Sequence, residues 1–260
     1  MNQTFDIRRS FDLLKLNLHL NRKSFFLTLL GFFGFVFITS FFVANNVPML
    51  LNRMHTIFYF ILLYGGAALM GGSAFRILNR PDKSIAYLSL PASTFEKYLI
   101  PWLFTGIVWA IVSMVSYMAF ALMINGLWSG VMQFPFTAFN PFEICIGRSP
   151  VYEAYMPYFL VHSIFFLGAA AFRKNAIPKT LLTGFILQSG FTFLNLMMML
   201  ILFGNFTGMD QQMKLIEADQ QNLAYFFREV LPQLIKYSFA YVIPVIFYVA
   251  AFFKLKEREA

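Results

Sequence analysis

Long apolar runs alternate along the chain with shorter stretches that hold every charged residue. Six runs, 24–44, 56–75, 98–123, 155–172, 180–203 and 237–253, contain no Lys, Arg, Asp or Glu. Each is near the ~20 apolar residues needed to cross a hydrocarbon core of ~30 Å. The pattern therefore predicts an all-α, polytopic membrane protein with six transmembrane helices and one transmembrane domain over 1–260. Ahead of the first run, Ile7, Phe11, Leu14 and Leu18 recur at helical spacing while Arg8, Asp12, Lys15 and His19 face elsewhere. That is the pattern of an N-terminal amphipathic interfacial helix within 1–23.

The segments between the runs divide by charge. The N-terminus, 76–97, 173–179 and 254–260 hold 15 of the 20 basic residues, whereas the acidic residues split evenly between the two sets. Basic residues are retained on the cytoplasmic side, so both termini and the loop 76–97 are expected there. The stretches 124–154 and 204–236 are then outer loops. The third inner loop is so short that the fourth and fifth runs must form a tight hairpin. The polar lead-in over 1–23 is long, and no Ala-x-Ala site follows the first run, which therefore reads as a retained span and not as a signal peptide.

Composition sharpens this picture. The chain is 59% hydrophobic and 12% charged, against about 25% charged in soluble domains. The net charge of +8 follows the loops and favours membrane lipids over nucleic acid as the partner of the basic residues. A single cysteine, Cys145, excludes an internal disulfide and a multi-cysteine metal site. His19, His55 and His162 are too scattered for a metal site, and no HExxH, GxSxG or GxxxxGK[ST] occurs. No cofactor or catalytic group is expected, and any use of ATP falls to another polypeptide.

Four features carry candidate roles. In the second run Gly65, Gly66, Gly71 and Gly72, with Ala67 and Ala68, make a face of nearly bare backbone. Such a face packs helices closely, either within one bundle or at a subunit seam. In the loop 76–97, Arg80-Pro81-Asp82 marks a turn, and Ser93 followed by Glu96 is a capping box that starts a new helix. Ile85, Tyr87, Leu88 and Leu90 in that loop want a cover: lipid, the bundle itself or a cytoplasmic partner. His162 is the one ionisable residue inside a run and reads as a hydrogen-bonded packing residue. Gln188, Ser189 and Asn195 are placed to bond across helices, and Pro101 and Pro244 mark kinks or helix ends. The outer stretches, with Trp128, Phe134, Phe136, Phe139 and Phe142, fit the aromatic belt of a membrane surface. Glu143, Arg148 and Glu153 are the loose polar candidates for a membrane-embedded lipid-modifying enzyme. A non-transporting assembly or sensor subunit is the other rival.

The sequence GGSAFR at 71–76, the run IAYLSLPASTFEKYL at 85–99, the interfacial segment before the first span and the six-span layout together resemble a known family. They resemble the permease (membrane-spanning) subunits of ABC-2 type ABC transporters, in their compact, Bacteroidetes-like bacterial form. The resemblance implies a non-enzymatic exporter subunit of the bacterial cytoplasmic (inner) membrane. It implies a separate ABC ATPase subunit and a second permease copy, identical or related. The loop between the second and third spans would be the coupling element that contacts the ATPase. That maps the contact to Lys83, Ile85, Tyr87, Leu88, Pro91, Ser93 and Glu96, with Phe11, Leu14 and Leu18 on the interfacial helix. The aromatic, uncharged spans suit a hydrophobic or amphipathic substrate better than an ion. The outer stretch 124–154 is longer and more aromatic than the family pattern.

Overall fold

The computed structural model of the chain describes residues 7–47, 49–79, 92–132, 139–143, 151–203 and 225–259; for Leu14 and Leu18 it describes the backbone alone. The described residues form helices and no strand: α1 (Ile7–Asn46), α2 (Met49–Ser73), a 3-10 turn (Arg76–Asn79), α3 (Thr94–Trp102), a π turn (Leu103–Val108) and α4 (Trp109–Met132). These are followed by α5 (Val151–Ala171), α6 (Ala176–Phe203), a π turn (Phe226–Val230), α7 (Leu231–Tyr237), a π turn (Ser238–Val242) and α8 (Ile243–Glu259). Among the described residues, six segments are long and apolar enough to cross a membrane: Phe25–Asn46, Met54–Ser73, Thr94–Val131, Glu153–Ala171, Ala176–Met198 and Leu231–Arg258. The protein is an all-α, multi-pass membrane protein.

The first span is longer than the apolar pattern alone implies. One unbroken helix of 40 residues carries both the amphipathic segment and the span. At 1.5 Å per residue it is about 60 Å long, roughly twice the hydrocarbon thickness. Phe11 is exposed. Lys15 does not face away from it: its Nζ lies 5.4 Å from the Phe11 ring centroid, because residues four apart share a helical face.

The third and sixth spans are each composite. Pro101 sits inside α3, where it supplies no N–H, and the π turn 103–108 follows at once. Pro244 sits at the second position of α8, just after the π turn 238–242. Proline and π turns are the ordinary causes of local departures from helical register. Between α5 and α6 the chain reverses in four residues, with Asn175 in the left-handed conformation (φ 53°). Asparagine tolerates that region better than most residues, and the hairpin expected at 173–179 is the one observed.

Inside lipid, helices associate by close packing and polar contacts, since lipid tails are as apolar as leucine. The α2–α5 pair is central, with α4 against α2 and α8 against α5. Val36, Tyr59, Leu63, Ala67, Trp109 and Tyr117 form the main core, and Phe75, Tyr98, Phe166, Ala251 and Leu255 form a second one toward the basic end. A third, Ala44, Leu51, Ile124 and Trp128, lies at the opposite end. Two expectations for the outer stretch change here. Residues 124–132 continue α4 instead of opening a loop, and Trp128 is buried with its Nε1 donating to Ser40 Oγ at 3.3 Å. Phe139 packs among His55, Tyr59 and Tyr117 instead of facing a membrane surface, whereas Phe142 is exposed. Phe134 and Phe136 lie outside the described residues.

Candidate functional site

The glycines of α2 are where the spans come nearest. A Cβ at Gly66 would overlap the indole of Trp109, one at Gly72 would lie 2.5 Å from Ile177, and one at Gly71 would lie 3.3 Å from His162. Gly65 has open space around it. Three of the four glycines thus admit a neighbouring helix, and the close faces belong to one bundle.

His162 is fully buried and sits where the third, fourth and sixth spans meet beside α2. Its Nε2 is 2.9 Å from Thr105 Oγ1, and its Nδ1 is 2.8 Å from Tyr248 Oη. Thr105 donates its hydroxyl to the Pro101 carbonyl at 2.7 Å, so Oγ1 is left to accept from His162 Nε2–H. Nδ1 faces the Tyr248 hydroxyl, which also lies 3.4 Å from the Phe159 carbonyl as a donor, so both ring nitrogens have a partner. Gly71 and Gly106 leave room for the ring, each at 3.3 Å from a notional Cβ. Phe166 stacks on the ring at 5.4 Å between centroids. Tyr158, one turn before His162, donates to the Gly106 carbonyl at 2.6 Å and so also grips the π turn. His162 is a hydrogen-bonded packing residue, as its isolation in an apolar run predicts.

The helix that enters this node begins at the end of the inner loop. Ser93 Oγ accepts from the Glu96 amide at 3.2 Å, and Glu96 Oε2 accepts from the Ser93 amide at 2.8 Å, which is the predicted capping box. Glu96 and Lys97 are both buried, a point that a loop-side reading of this segment does not anticipate. Next along α3, Tyr98 donates to the Tyr248 carbonyl at 2.8 Å, and one turn later Trp102 meets the Tyr248 ring edge-on at 5.7 Å. Of the expected partner-contact residues, Ser93 and Glu96 are thus cap residues rooted in the bundle. Lys83, Ile85, Tyr87, Leu88 and Pro91 lie outside the described residues.

A second buried histidine escapes the hydropathy pattern. The second span starts before residue 56, so His55 lies inside it, 2% exposed, with Nδ1 3.1 Å from Tyr117 Oη and Nε2 2.9 Å from Asn125 Oδ1. Asn125 on α4, a buried amide two residues past the expected span end, is its partner on the neighbouring helix. Nearby, Tyr155 donates to the Pro141 carbonyl at 2.7 Å and Tyr64 to the Ala154 carbonyl.

Glu153 is ion-paired with Lys236 at 2.6 Å, Glu143 is exposed, and Arg148 lies outside the described residues. No cluster of His, Cys, Asp or Glu able to hold a metal occurs among the described residues.

The fifth span differs from the others. No residue in its most apolar window is buried. Gln188, Ser189, Thr192 and Asn195 are exposed on it, and Asn195 Nδ2 donates only back to its own helix, to the Phe191 carbonyl at 3.0 Å. Among the described residues, no bond joins Gln188, Ser189 or Asn195 to another helix of the chain. Only its first turns are packed, where Thr180 lies against Gly168 and Ile177 against Gly72.

No family model, curated protein or solved structure matches the chain.

Proposed function

We propose that this protein is the membrane-spanning permease subunit of an ATP-driven ABC exporter of the ABC-2 type, moving a hydrophobic or amphipathic substrate. The single observation that carries the reading is the start of α3. The loop that resembles the family's coupling element ends in a capping box whose Glu96 is buried in the bundle. Glu96 thus fixes the start of α3 to the bundle, so movement that reaches Ser93 is passed on to that helix. From there Tyr98 and Trp102 lead to the sixth span, and Thr105 leads to the fourth.

Two further features support it. The chain has no P-loop of its own, so the ATPase is a separate subunit. The bare fifth span, with amides and hydroxyls in an otherwise lipid-facing helix, suits a second permease copy. The excess of basic residues in one set of segments supports termini on the cytoplasmic side, and the family resemblance supports a bacterial cytoplasmic membrane, where the ATPase would meet loop 76–97 and the first turns of α1.

The test is co-expression with a P-loop ATPase encoded beside this chain. The pair should co-purify. Tyr87→Ala with Leu88→Ala should weaken association and abolish ATP-dependent substrate movement in proteoliposomes. Intact association and transport in that double variant would remove the coupling assignment.

A further inference from the structure

Three spans share one imidazole, and one of them does so through a π turn. The π turn Leu103–Val108 interrupts the third span directly above α3. Isolated π turns hold one residue more than the α-helix around them and cluster at functional positions. Returning such a turn to α-helical pairing shifts the residues beyond it by one position, about 100° around the axis. This turn has the ingredients of two discrete registers, which is what a transmitting element requires.

Two hydrogen bonds select the observed register. His162 Nε2 bonds Thr105 Oγ1 inside the turn, and Tyr158 Oη bonds the Gly106 carbonyl inside it. The other side of the imidazole is bonded to Tyr248 of the sixth span. Gly106 faces the ring at a distance that leaves no slack for a side chain. In the alternative register Thr105 and Gly106 would exchange these positions for those of neighbours with larger or apolar side chains, Phe104 or Ile107. The imidazole would then lose its Thr105 acceptor, and with it a tie between the π turn and the fourth span.

We propose that Leu103–Val108 is a two-register joint and that His162 is the positioning residue that locks it to the fourth and sixth spans. The joint relays movement of α3 into the bundle. This deepens the permease reading, and its transport arm rests on that reading; its stability arm does not.

The stability arm is a double-mutant cycle on the purified full chain, reading thermal unfolding of Thr105→Val, Tyr248→Phe and the pair. Both groups bond to His162 but on opposite ring nitrogens, so the joint predicts that their effects are non-additive. Additive effects overturn it, whatever the ATPase does. The transport arm uses the complete complex in proteoliposomes. Thr105→Val and Tyr248→Phe should keep ATP hydrolysis near wild type and lower substrate moved per ATP by about three- to tenfold. Thr105→Ser, which keeps the hydroxyl, should restore the ratio. Parallel loss of hydrolysis and transport, or an unchanged ratio, overturns the relay. Failure of any ATPase to associate sinks the permease reading, and with it the relay role, while the cycle still decides whether the joint exists.

Discussion

The indole of Trp109 occupies the space that a side chain at position 66 would fill, and its Nε1 donates to the Leu63 carbonyl 3.3 Å away. The second and third spans are held at backbone distance by this pair. Trp109 is also met edge-on by Phe25 of α1 at 5.4 Å, so three spans converge on one ring.

Substitution within the glycine cluster of α2 should therefore split sharply by position. Gly66→Ala forces the indole to move in a close-packed site and should cost about 1–3 kcal/mol, as overpacked cores do. Gly65→Ala meets nothing within 4 Å and should stabilise by about 0.5–1 kcal/mol through the helix propensity of alanine. Reversible unfolding of the two variants in mixed micelles measures the difference. Equal effects would mean that the cluster is not a packing face.

The capping box gives a second, independent prediction. Ser93→Ala removes the side-chain acceptor of the Glu96 amide and should cost about 1 kcal/mol. Ser93→Thr and Ser93→Asp keep an acceptor and should recover most of it. Hydrogen exchange at the Phe95 and Glu96 amides reads the cap directly: faster exchange in Ser93→Ala alone is expected, and unchanged exchange would remove the cap.

Much of this was legible in the chain, for reasons that particular residues make clear. Span positions follow from where Lys, Arg, Asp and Glu are absent, because lipid excludes charge and no tertiary contact competes. The Ser93–Glu96 cap is a local hydrogen-bond pattern and needs no knowledge of neighbours. His55, Asn125 and Trp128 fall outside the six uncharged runs because hydropathy drops wherever a polar or amphipathic residue appears. It cannot register that His55 and Asn125 satisfy each other across two helices. The partners of His162, by contrast, come from residues 57 and 86 positions away, and nothing in a single apolar run announces them. The continuous α1 and the buried Phe139 are likewise decided by packing.

The His55 network supplies a third prediction. Asn125→Leu leaves the imidazole Nε2 without its acceptor in a buried site. The loss should be about 1 kcal/mol, since polar contacts between membrane helices average about 0.6 kcal/mol and an orphaned buried donor costs more. Asn125→Gln should restore part of it. A double-mutant cycle with Tyr117→Phe, read by unfolding in micelles, should show coupling through the shared imidazole; strictly additive losses would mean the network is not cooperative.

The fifth span carries the prediction that most directly tests for a second copy. Gln188, Thr192 and Asn195 fall at i, i+4 and i+7, so they share one face of α6, and all three are exposed. A polar stripe in an otherwise apolar helix gains nothing from lipid, whereas a facing amide or hydroxyl from another chain would satisfy it. Ile186 and Phe193 lie roughly opposite the stripe and are 60% and 62% exposed. With Cys145 replaced by serine, cysteine at 188, 192 or 195 should cross-link two copies in membranes under mild oxidation, and cysteine at 186 or 193 should not. Asn195→Leu should weaken self-association by about threefold to tenfold, the effect of losing one interhelical polar contact. Cross-linking that is equal on both faces, or absent from the stripe, would show that lipid alone covers this helix.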